Sequence, residues 1–183
     1  MSNAVLKGHA SGTGTVTLET PNTNSDRTIS LPDAAGTVMV SGNMPAFSYY
    51  ANSTQSVSNV THTKITFSAS DFDTTSGMFA TSRFTPTVAS YYQINGILRG
   101  ATTTTMTGLI ITLYKNSSAY ARGQDGTGAI AQAQVTGSWL VYCNGTTDYI
   151  ELYGYVDSIG TPSFSYNSVP ITSRFMGSLV RAA

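Results

Sequence analysis

Three observations predict an all-β sandwich or jelly roll of roughly ten short strands. Segments of alternating apolar and polar residues recur along the chain, and clusters of Gly, Pro, Asn, Asp and Ser separate them. No segment shows helical periodicity over a convincing length. With 40% hydrophobic residues, 10% charged residues and 11 tyrosines, the composition favours strands with a hydroxyl-rich surface over a disordered chain.

The N-terminal part predicts an extended β arm. Residues 15–20, 27–31 and 37–40 alternate as strands do, and polar turns separate them. The loose segment Ser-Gly-Asn that follows places a boundary after residue 42, giving an arm of residues 1–42 and a head of residues 43–183. The arm has too few apolar side chains to offset the entropy of ordering its backbone, so we expect it to fold against a partner.

The head is predicted to begin with strands at residues 47–51 and 63–67, with Ile65 and Phe67 on one face of the second strand. Small polar residues then predict a turn at residues 72–77.

Residues 83–98 form the segment from which the remaining strands are placed. Phe84 ends an extended piece, Pro86 removes a donor from it, and a turn leads into the most strand-like stretch of the chain. Alternation places four residues of that stretch on the core face: Tyr92, Ile94, Gly96 and Leu98. The Tyr92 ring can be buried there only if its hydroxyl finds a partner.

The later elements follow the same pattern. The four threonines at residues 102–105 predict a loop or strand edge, and residues 109–114 predict a strand. Three glycines indicate a mobile connection at residues 122–128. Further strands are expected at residues 129–135, 138–142 and 148–152, a longer loop at 162–170, and a closing strand at 173–180. Phe175, Gly177 and Leu179 share one face of that closing strand.

Composition and motifs argue against a catalytic site, a metal site and nucleic-acid binding. The formal net charge is zero, so no electrostatic case for nucleic acid exists, and no apolar run is long enough for membrane insertion. His9 and His62 are isolated, and no catalytic or cofactor motif is present. Asp71 and Asp73 could reach each other across a turn, and Asp125, Asp148 or Asp157 could supply oxygen ligands to calcium. Turn formation explains these aspartates better, so we expect no metal site. Cys143 is the single cysteine and is expected to be a buried apolar residue.

Several of these segments resemble the globular head of complement C1q and related bacterial and phage proteins. Phe84, Ser90, Tyr92 and Ile94 fall in the register of that family's phenylalanine followed by G-x-Y-x-F, with Ser90 in place of the glycine and Ile94 in place of the last phenylalanine. L-Y-K-N at 113–116, D-Y-I-E-L at 148–152 and F-M-G-S-L at 175–179 resemble further family strands. The resemblance implies a ten-strand C1q-like or TNF-like jelly roll that assembles as a homotrimer. The residues expected in its core or trimer contacts are Phe84, Tyr92, Ile94, Phe175, Gly177 and Leu179.

The arm resembles a module of phage virion proteins. The match spans residues 12–38, G-T-G-T-V-T-L-E-T-P-N-T-N-S-D-R-T-I-S-L-P-D-A-A-G-T-V. In phages the module precedes varied C-terminal domains in tail fibres and related appendages. This resemblance implies a protein of the virion, on the tail or capsid surface, made in the cytoplasm of a host bacterium.

Three functions follow as hypotheses. The first is a tail-fibre or tail-tip protein that docks to other virion proteins through residues 1–42 and presents a trimeric head to a host cell-surface glycan or protein. The second is a capsid or tail decoration protein that stabilises the virion without binding a receptor. The third, a secreted ligand of animal type, is disfavoured because we expect neither a signal peptide nor a collagen repeat. The plausible receptor contacts are exposed loop residues: Tyr120, Arg122, Tyr166 and Asn167.

Overall fold

The computed structural model of the chain describes residues 10–15, 17, 22, 24–26, 28, 44–75, 77–167 and 171–182. The chain divides into two units, Met1–Ala35 and Gly36–Ala183, and all strands described below belong to the second. The predicted arm strands and the predicted boundary after residue 42 lie largely or wholly outside the described residues.

Eleven strands form in the described part of the chain. In order they are β1 (Ala46–Tyr50), β2 (Gln55–Ser56), β3 (Thr63–Lys64), β4 (Ala69–Asp73), β5 (Phe79–Ala80), β6 (Arg83–Phe84), β7 (Ser90–Lys115), β8 (Ser118–Cys143), β9 (Ile150–Ser158), β10 (Pro162–Phe164) and β11 (Arg174–Ala182). The described residues contain no helix, and therefore none long and apolar enough to cross a membrane. The predicted all-β fold is confirmed.

The strands pair antiparallel and form two layers. β7 and β8 belong to both layers, since each runs from one layer into the other. In the first layer the order is β4, β1, β11, the beginning of β7 and the end of β8. In the second layer β9 pairs with the end of β7, with β6 and with β3, and the beginning of β8 pairs with the end of β7 on its other side. β10 joins β2 to the middle of β7.

A two-residue turn connects β7 and β8. Asn116 and Ser117 have φ of 53° and 64°, as the type I′ turn of tight hairpins requires. The Asn116 amide also donates to Asp148 Oδ1 at 2.7 Å and accepts from the Tyr149 N–H at 2.9 Å, which ties the turn to the segment before β9. The predicted strand-to-turn transition at residues 113–116 therefore lies where the sequence places it.

Three local predictions are wrong. Residues 122–128 are not a mobile connection but part of β8, where they pair with the end of β7. The predicted turn at residues 72–77 begins late, since Phe72 and Asp73 continue β4 in its pairing with β1. The predicted loop at residues 162–170 begins with β10. In each case pairing with another strand overrides the local tendency of Gly, Asp or Pro to form loops.

The core lies between the layers. Alternation holds along the beginning of β7, where Tyr92, Ile94 and Leu98 are fully buried and Tyr91 is exposed. The Tyr92 hydroxyl donates to the Val88 carbonyl at 2.8 Å, so its ring is buried without an unpaired polar group. Phe47 contributes from β1, with its ring centroid 4.7 Å from Phe84.

Candidate functional site: two outward faces

The first layer presents an exposed group of large apolar side chains on its outward face, called the apolar face below. It consists of Tyr91 on β7, Leu140 and Tyr142 on β8, and Val180 on β11, which are 41%, 58%, 41% and 55% exposed. Their chain neighbours Tyr92, Val141 and Leu179 point into the core, so the alternation that builds the core also places these residues outside. Tyr91 pairs in register with Tyr142, and their ring centroids lie 5.4 Å apart.

Polar side chains beside the apolar face bond to one another. The Gln93 amide donates to the Ser138 hydroxyl at 2.9 Å, and that hydroxyl donates to Asn95 Oδ1 at 2.9 Å. A partner that covered this part of the face would leave these hydrogen bonds in place, which lowers the cost of burying the polar groups.

The second layer carries an aromatic outward face, called the tyrosine face below. Its members are His62, Tyr114, Tyr153 and Tyr155, supplied by the segment before β3, the end of β7, and β9. Tyr114 and Tyr153 stack with centroids 3.9 Å apart and planes 24° apart, and His62 lies 5.1 Å from Tyr155. Rings held in this way offer a flat apolar surface with hydroxyl groups at its edge.

The buried carboxylate of Glu151 belongs to the same second layer and lies closer to β6. Glu151 is 2% exposed, and its Oε1 accepts from Lys64 Nζ at 2.7 Å and from Arg83 Nε at 2.9 Å. Burial raises the pKa of Glu151, but the hydrogen bonds from Lys64 and Arg83 outweigh burial and hold the pKa below its ordinary value. Arg83 also lies 4.0 Å over the Tyr149 ring. Both cations bond to the same oxygen of Glu151, so these contacts hold the three side chains in place and leave the group with one net positive charge.

A small pocket lies at the His62 end of the tyrosine face. Its volume is about 170 Å³, and it is lined by His62, Thr112, Ala119, Tyr120, Ala121 and Arg122. Thr112 is 5% exposed, and its buried hydroxyl has no hydrogen-bond partner among the described residues. Arg122 pairs with Asp125 at 3.1 Å. The pKa of His62 is lowered, mainly by partial burial and to a smaller extent by the positive charge of Arg122. The Arg122–Asp125 pair therefore leaves the pocket with little net charge, and the Thr112 hydroxyl is buried rather than open to the pocket.

The predicted receptor-contact residues occupy two places. Tyr120 and Arg122 are exposed, but they lie in β8 rather than in a loop, and both line the pocket. Tyr166 and Asn167 follow β10 in an irregular segment and do not line the pocket. The Tyr166 N–H donates to the Thr54 hydroxyl at 3.2 Å.

The residues predicted for the core or trimer contacts all lie in the interior of the head. They are Phe84, Tyr92, Ile94, Phe175, Gly177 and Leu179, and the most exposed of the five with large side chains is Leu179 at 6%. Contacts with another copy of the chain would have to come from their outward-facing neighbours.

Sequence reasoning missed His62 and Thr112 as pocket residues and Tyr91, Leu140 and Val180 as a shared face. Alternation alone indicates that Tyr91 points outward. Alternation cannot indicate that β3, β7 and β8 bring His62 and Thr112 to one pocket. Their proximity depends on which distant segments pair as strands.

The described residues contain no group of three His, Cys, Asp or Glu side chains that could hold a metal ion. Asp71 and Asp73, considered above as calcium ligands, both lie in β4 and have protein partners. Asp71 accepts from Arg174 and from the Ser48 hydroxyl. Asp73 accepts from the Tyr49 hydroxyl at 2.6 Å and from the Thr75 N–H at 2.7 Å.

The two antiparallel layers, bridged by long strands, form a jelly-roll-like sandwich, and solved structures share this fold. The chain is similar in structure to the globular domain of zebrafish complement 1qA, with a TM-score of 0.55, 17% identity, and coverage of 76% of this chain and 99% of that one. It is also similar to murine APRIL at pH 8.0, with a TM-score of 0.53, 11% identity, and coverage of 75% and 99%. No protein-family model and no curated protein matches the chain in sequence.

Proposed function

We propose that the chain is a virion attachment protein whose head assembles as a homotrimer and binds the surface of a host bacterium. Support for the virion comes from the resemblance of residues 12–38 to a phage module. Support for a binding head comes from the C1q/TNF-type jelly roll, which offers a rigid scaffold with an outward face on each layer.

The apolar face is the observation that carries the proposed assembly. Leu140 and Val180 are more than half exposed, and two tyrosine rings lie beside them on the same layer. Fully burying an aliphatic side chain contributes about 1.5–3 kcal/mol, so covering Leu140 and Val180, which are a little more than half exposed, contributes roughly half of that each, and the tyrosine rings add to it. An uncovered apolar group of this kind marks an interaction site. Assembly through the first layer leaves the tyrosine face of the second layer free for a ligand.

Sedimentation of the full chain tests the assembly. We expect a trimer at micromolar concentration, and Leu140→Arg to shift the protein toward monomer because the new charge would lie in the contact. Val60→Arg is the matched control, since Val60 is 56% exposed but is not part of the apolar face. A monodisperse wild-type monomer would contradict the proposal.

Competition for adsorption tests attachment. Excess full-length protein should block phage adsorption to its host, and should do so at both low and moderate ionic strength because the chain carries few charges. Gold-labelled antibody against the protein should mark the tail. The decoration alternative predicts label on capsid or tail, no competition at any salt concentration, and particles that lose thermal stability when the protein is deleted. That second pattern would overturn the attachment function.

A further inference from the structure

We propose that Asn144 is a site of self-modification, at which the folded head converts the asparagine to aspartate or isoaspartate through a cyclic imide formed with Gly145. The two residues follow the end of β8 and begin the connection to β9. The inference goes beyond the proposed function and does not depend on it, because the reaction involves only atoms of this chain and water.

The reaction joins two neighbouring residues. The backbone nitrogen of Gly145 attacks Cγ of Asn144 and loses its proton to solvent, so a new N–C bond forms and Oδ1 takes the negative charge. The Cγ–Nδ2 bond then breaks, and Nδ2 takes up a proton and leaves as ammonia. Water opens the resulting imide at either carbonyl group, which gives aspartate or isoaspartate.

Three backbone N–H groups surround the oxygen on which the negative charge develops. Oδ1 of Asn144 accepts from the N–H groups of the second, third and fourth residues that follow it. These donors belong to Thr146 at 3.0 Å, Thr147 at 2.9 Å and Asp148 at 3.0 Å. Hydrogen bonds to a charged acceptor are roughly twice as strong as those between neutral groups, so the three donors stabilise the oxyanion more than the resting amide. Donors fixed in this way accelerate acyl transfer, and loss of one typically costs about 10²–10³-fold in rate.

The same hydrogen bonds fold the side chain back over the peptide bond that reacts. The bond from the Thr146 N–H to Oδ1 closes a small ring that contains both Cγ of Asn144 and the nitrogen of Gly145. Nδ2 donates to the Thr147 hydroxyl at 2.8 Å, and the Asn144 N–H donates to Asp148 Oδ2 at 3.0 Å. The fold therefore holds the reacting groups together, which a flexible chain does only in a small fraction of its conformations.

Packing requires glycine at position 145. Gly145 has a φ of 72°, in the left-handed region, and a Cβ atom there would meet the backbone nitrogen of Ala89 at 2.4 Å. Because the residue carries no side chain, nothing on it hinders the approach of its nitrogen to the amide carbon of Asn144.

A second Asn-Gly pair, Asn95 and Gly96, lacks this arrangement. Both residues lie inside β7, where Gly96 pairs with Phe175 on one side and with Gly137 on the other. Oδ1 of Asn95 accepts from the Ser138 hydroxyl at 2.9 Å, so the side chain turns toward β8 and not back over its own peptide bond. The chain therefore contains a matched internal control.

The modification changes the charge and the hydrogen bonds of this connection. Aspartate at position 144 adds a negative charge close to Asp148, which pairs with Lys115 at 2.9 Å next to the turn between β7 and β8. Isoaspartate also lengthens the backbone by one carbon and moves the three N–H groups away from the side-chain oxygen. Both products are permanent, so they accumulate with the age of the folded protein.

Comparison of the two Asn-Gly pairs in folded and unfolded protein tests the inference. The full-length protein is incubated at pH 8 with and without urea, and mass spectrometry of proteolytic peptides measures conversion at Asn144 and Asn95. In urea the two asparagines should react at similar rates, since each precedes a glycine. In the folded protein we expect Asn144 to react roughly tenfold or more faster than in urea, and Asn95 to react far more slowly than in urea. A folded-state rate at Asn144 equal to or below its rate in urea would overturn the proposal.

Matched variants test the surroundings of the amide. Thr147→Val keeps the side-chain shape and the backbone N–H and removes only the hydroxyl that holds Nδ2 of Asn144, so it should slow conversion several-fold in the folded protein. Thr146→Val is the control, because the contact of Thr146 with Asn144 is made by its backbone N–H and stays in place. This control should convert at the wild-type rate, and unchanged melting temperatures show that both variants are folded. Equal conversion rates in the two variants would contradict the inference that the loop orients the amide for reaction.

Discussion

The backbone of Gly177 lies directly against the ring of Phe47. A Cβ atom added at position 177 would come within 2.6 Å of Phe47 Cε1, a distance that real Cβ atoms do not tolerate. The ring cannot move aside easily, because Phe79, Phe84 and Phe175 surround it with centroids 5.0, 4.7 and 5.2 Å away. Glycine at this position therefore allows β1 and β11 to share one densely packed aromatic cluster.

We expect Gly177→Ala to destabilise the head by about 1–3 kcal/mol, as overpacking of a filled core does. Chemical unfolding at pH 7 measures the change. Gly108→Ala is the control, since a Cβ at that strand position would meet Asp157 at 3.4 Å, an ordinary contact. Equal stability losses in the two variants would show that the aromatic cluster yields to an added methyl group.

Phe175→Ala should cost about 3–5 kcal/mol, because it removes a fully buried ring from the contacts with Phe47, Phe67 and Phe79. The same substitution at Phe72, which is 51% exposed on β4, should change stability far less. Calorimetric melting of both variants tests this difference. Similar melting temperatures would mean that the ring of Phe175 contributes little to the core.

Acid should remove the contribution of Glu151 to the free energy of unfolding. The folded-state pKa of Glu151 lies below its ordinary value of 4.5, so the unfolded chain binds this proton first as the pH falls. The stabilisation is fully present above pH 4.5 and is lost as the pH falls through the folded-state pKa. Glu151→Gln should therefore be less stable than wild type by about 1–3 kcal/mol at pH 7, and the difference should shrink toward pH 3.

Urea unfolding at pH 7, 5, 4 and 3 measures that difference. Asp125→Asn is the control, because it removes a carboxylate from an exposed pair with Arg122 and should change stability by less than about 1 kcal/mol. A pH-independent gap between wild type and Glu151→Gln would contradict the paired, ionised state of the carboxylate.

Cys143 should resist thiol reagents in the folded head. It is fully buried, and burial raises the pKa of its thiol to about 11, although Lys115 opposes this shift. Little thiolate exists at pH 8, and reagent cannot reach it without unfolding. Labelling with a chromogenic disulfide reagent should be much slower in buffer than in urea. Equal labelling rates in the two solvents would show that the end of β8 opens readily.

Much of the fold follows from local pattern. Alternation at Tyr92, Ile94 and Leu98, and at Phe175 and Leu179, places these side chains inside, because a strand that covers a core must present every second residue to it. The change from strand to turn at Lys115–Asn116 can also be predicted from nearby residues, since a tight hairpin turn needs residues such as asparagine that tolerate positive φ.

The pocket could not be predicted in the same way. Gly123, Gly126 and Gly128 locally favour a loop, yet pairing with β7 extends β8 through them. The local pattern places Tyr120 and Arg122 in or beside a loop, whereas the structure places them along a strand. His62 is near Thr112 only because β3 and β7 both pair with β9, which is a relationship between segments about fifty residues apart in the sequence.

The continuous hairpin of β7 and β8 also sets the order in which the head should fold. Its two strands are adjacent in the chain, so closing the turn at Asn116 costs little loop entropy. Because both strands take part in both layers, their pairing also aligns the two layers. Pairing of β1 with β11 joins the two ends of the head and must close a far longer loop. We expect the transition state to contain the hairpin but not β11. Stopped-flow kinetics should then show that Phe175→Ala mainly speeds unfolding, whereas Ile111→Val within the hairpin mainly slows folding.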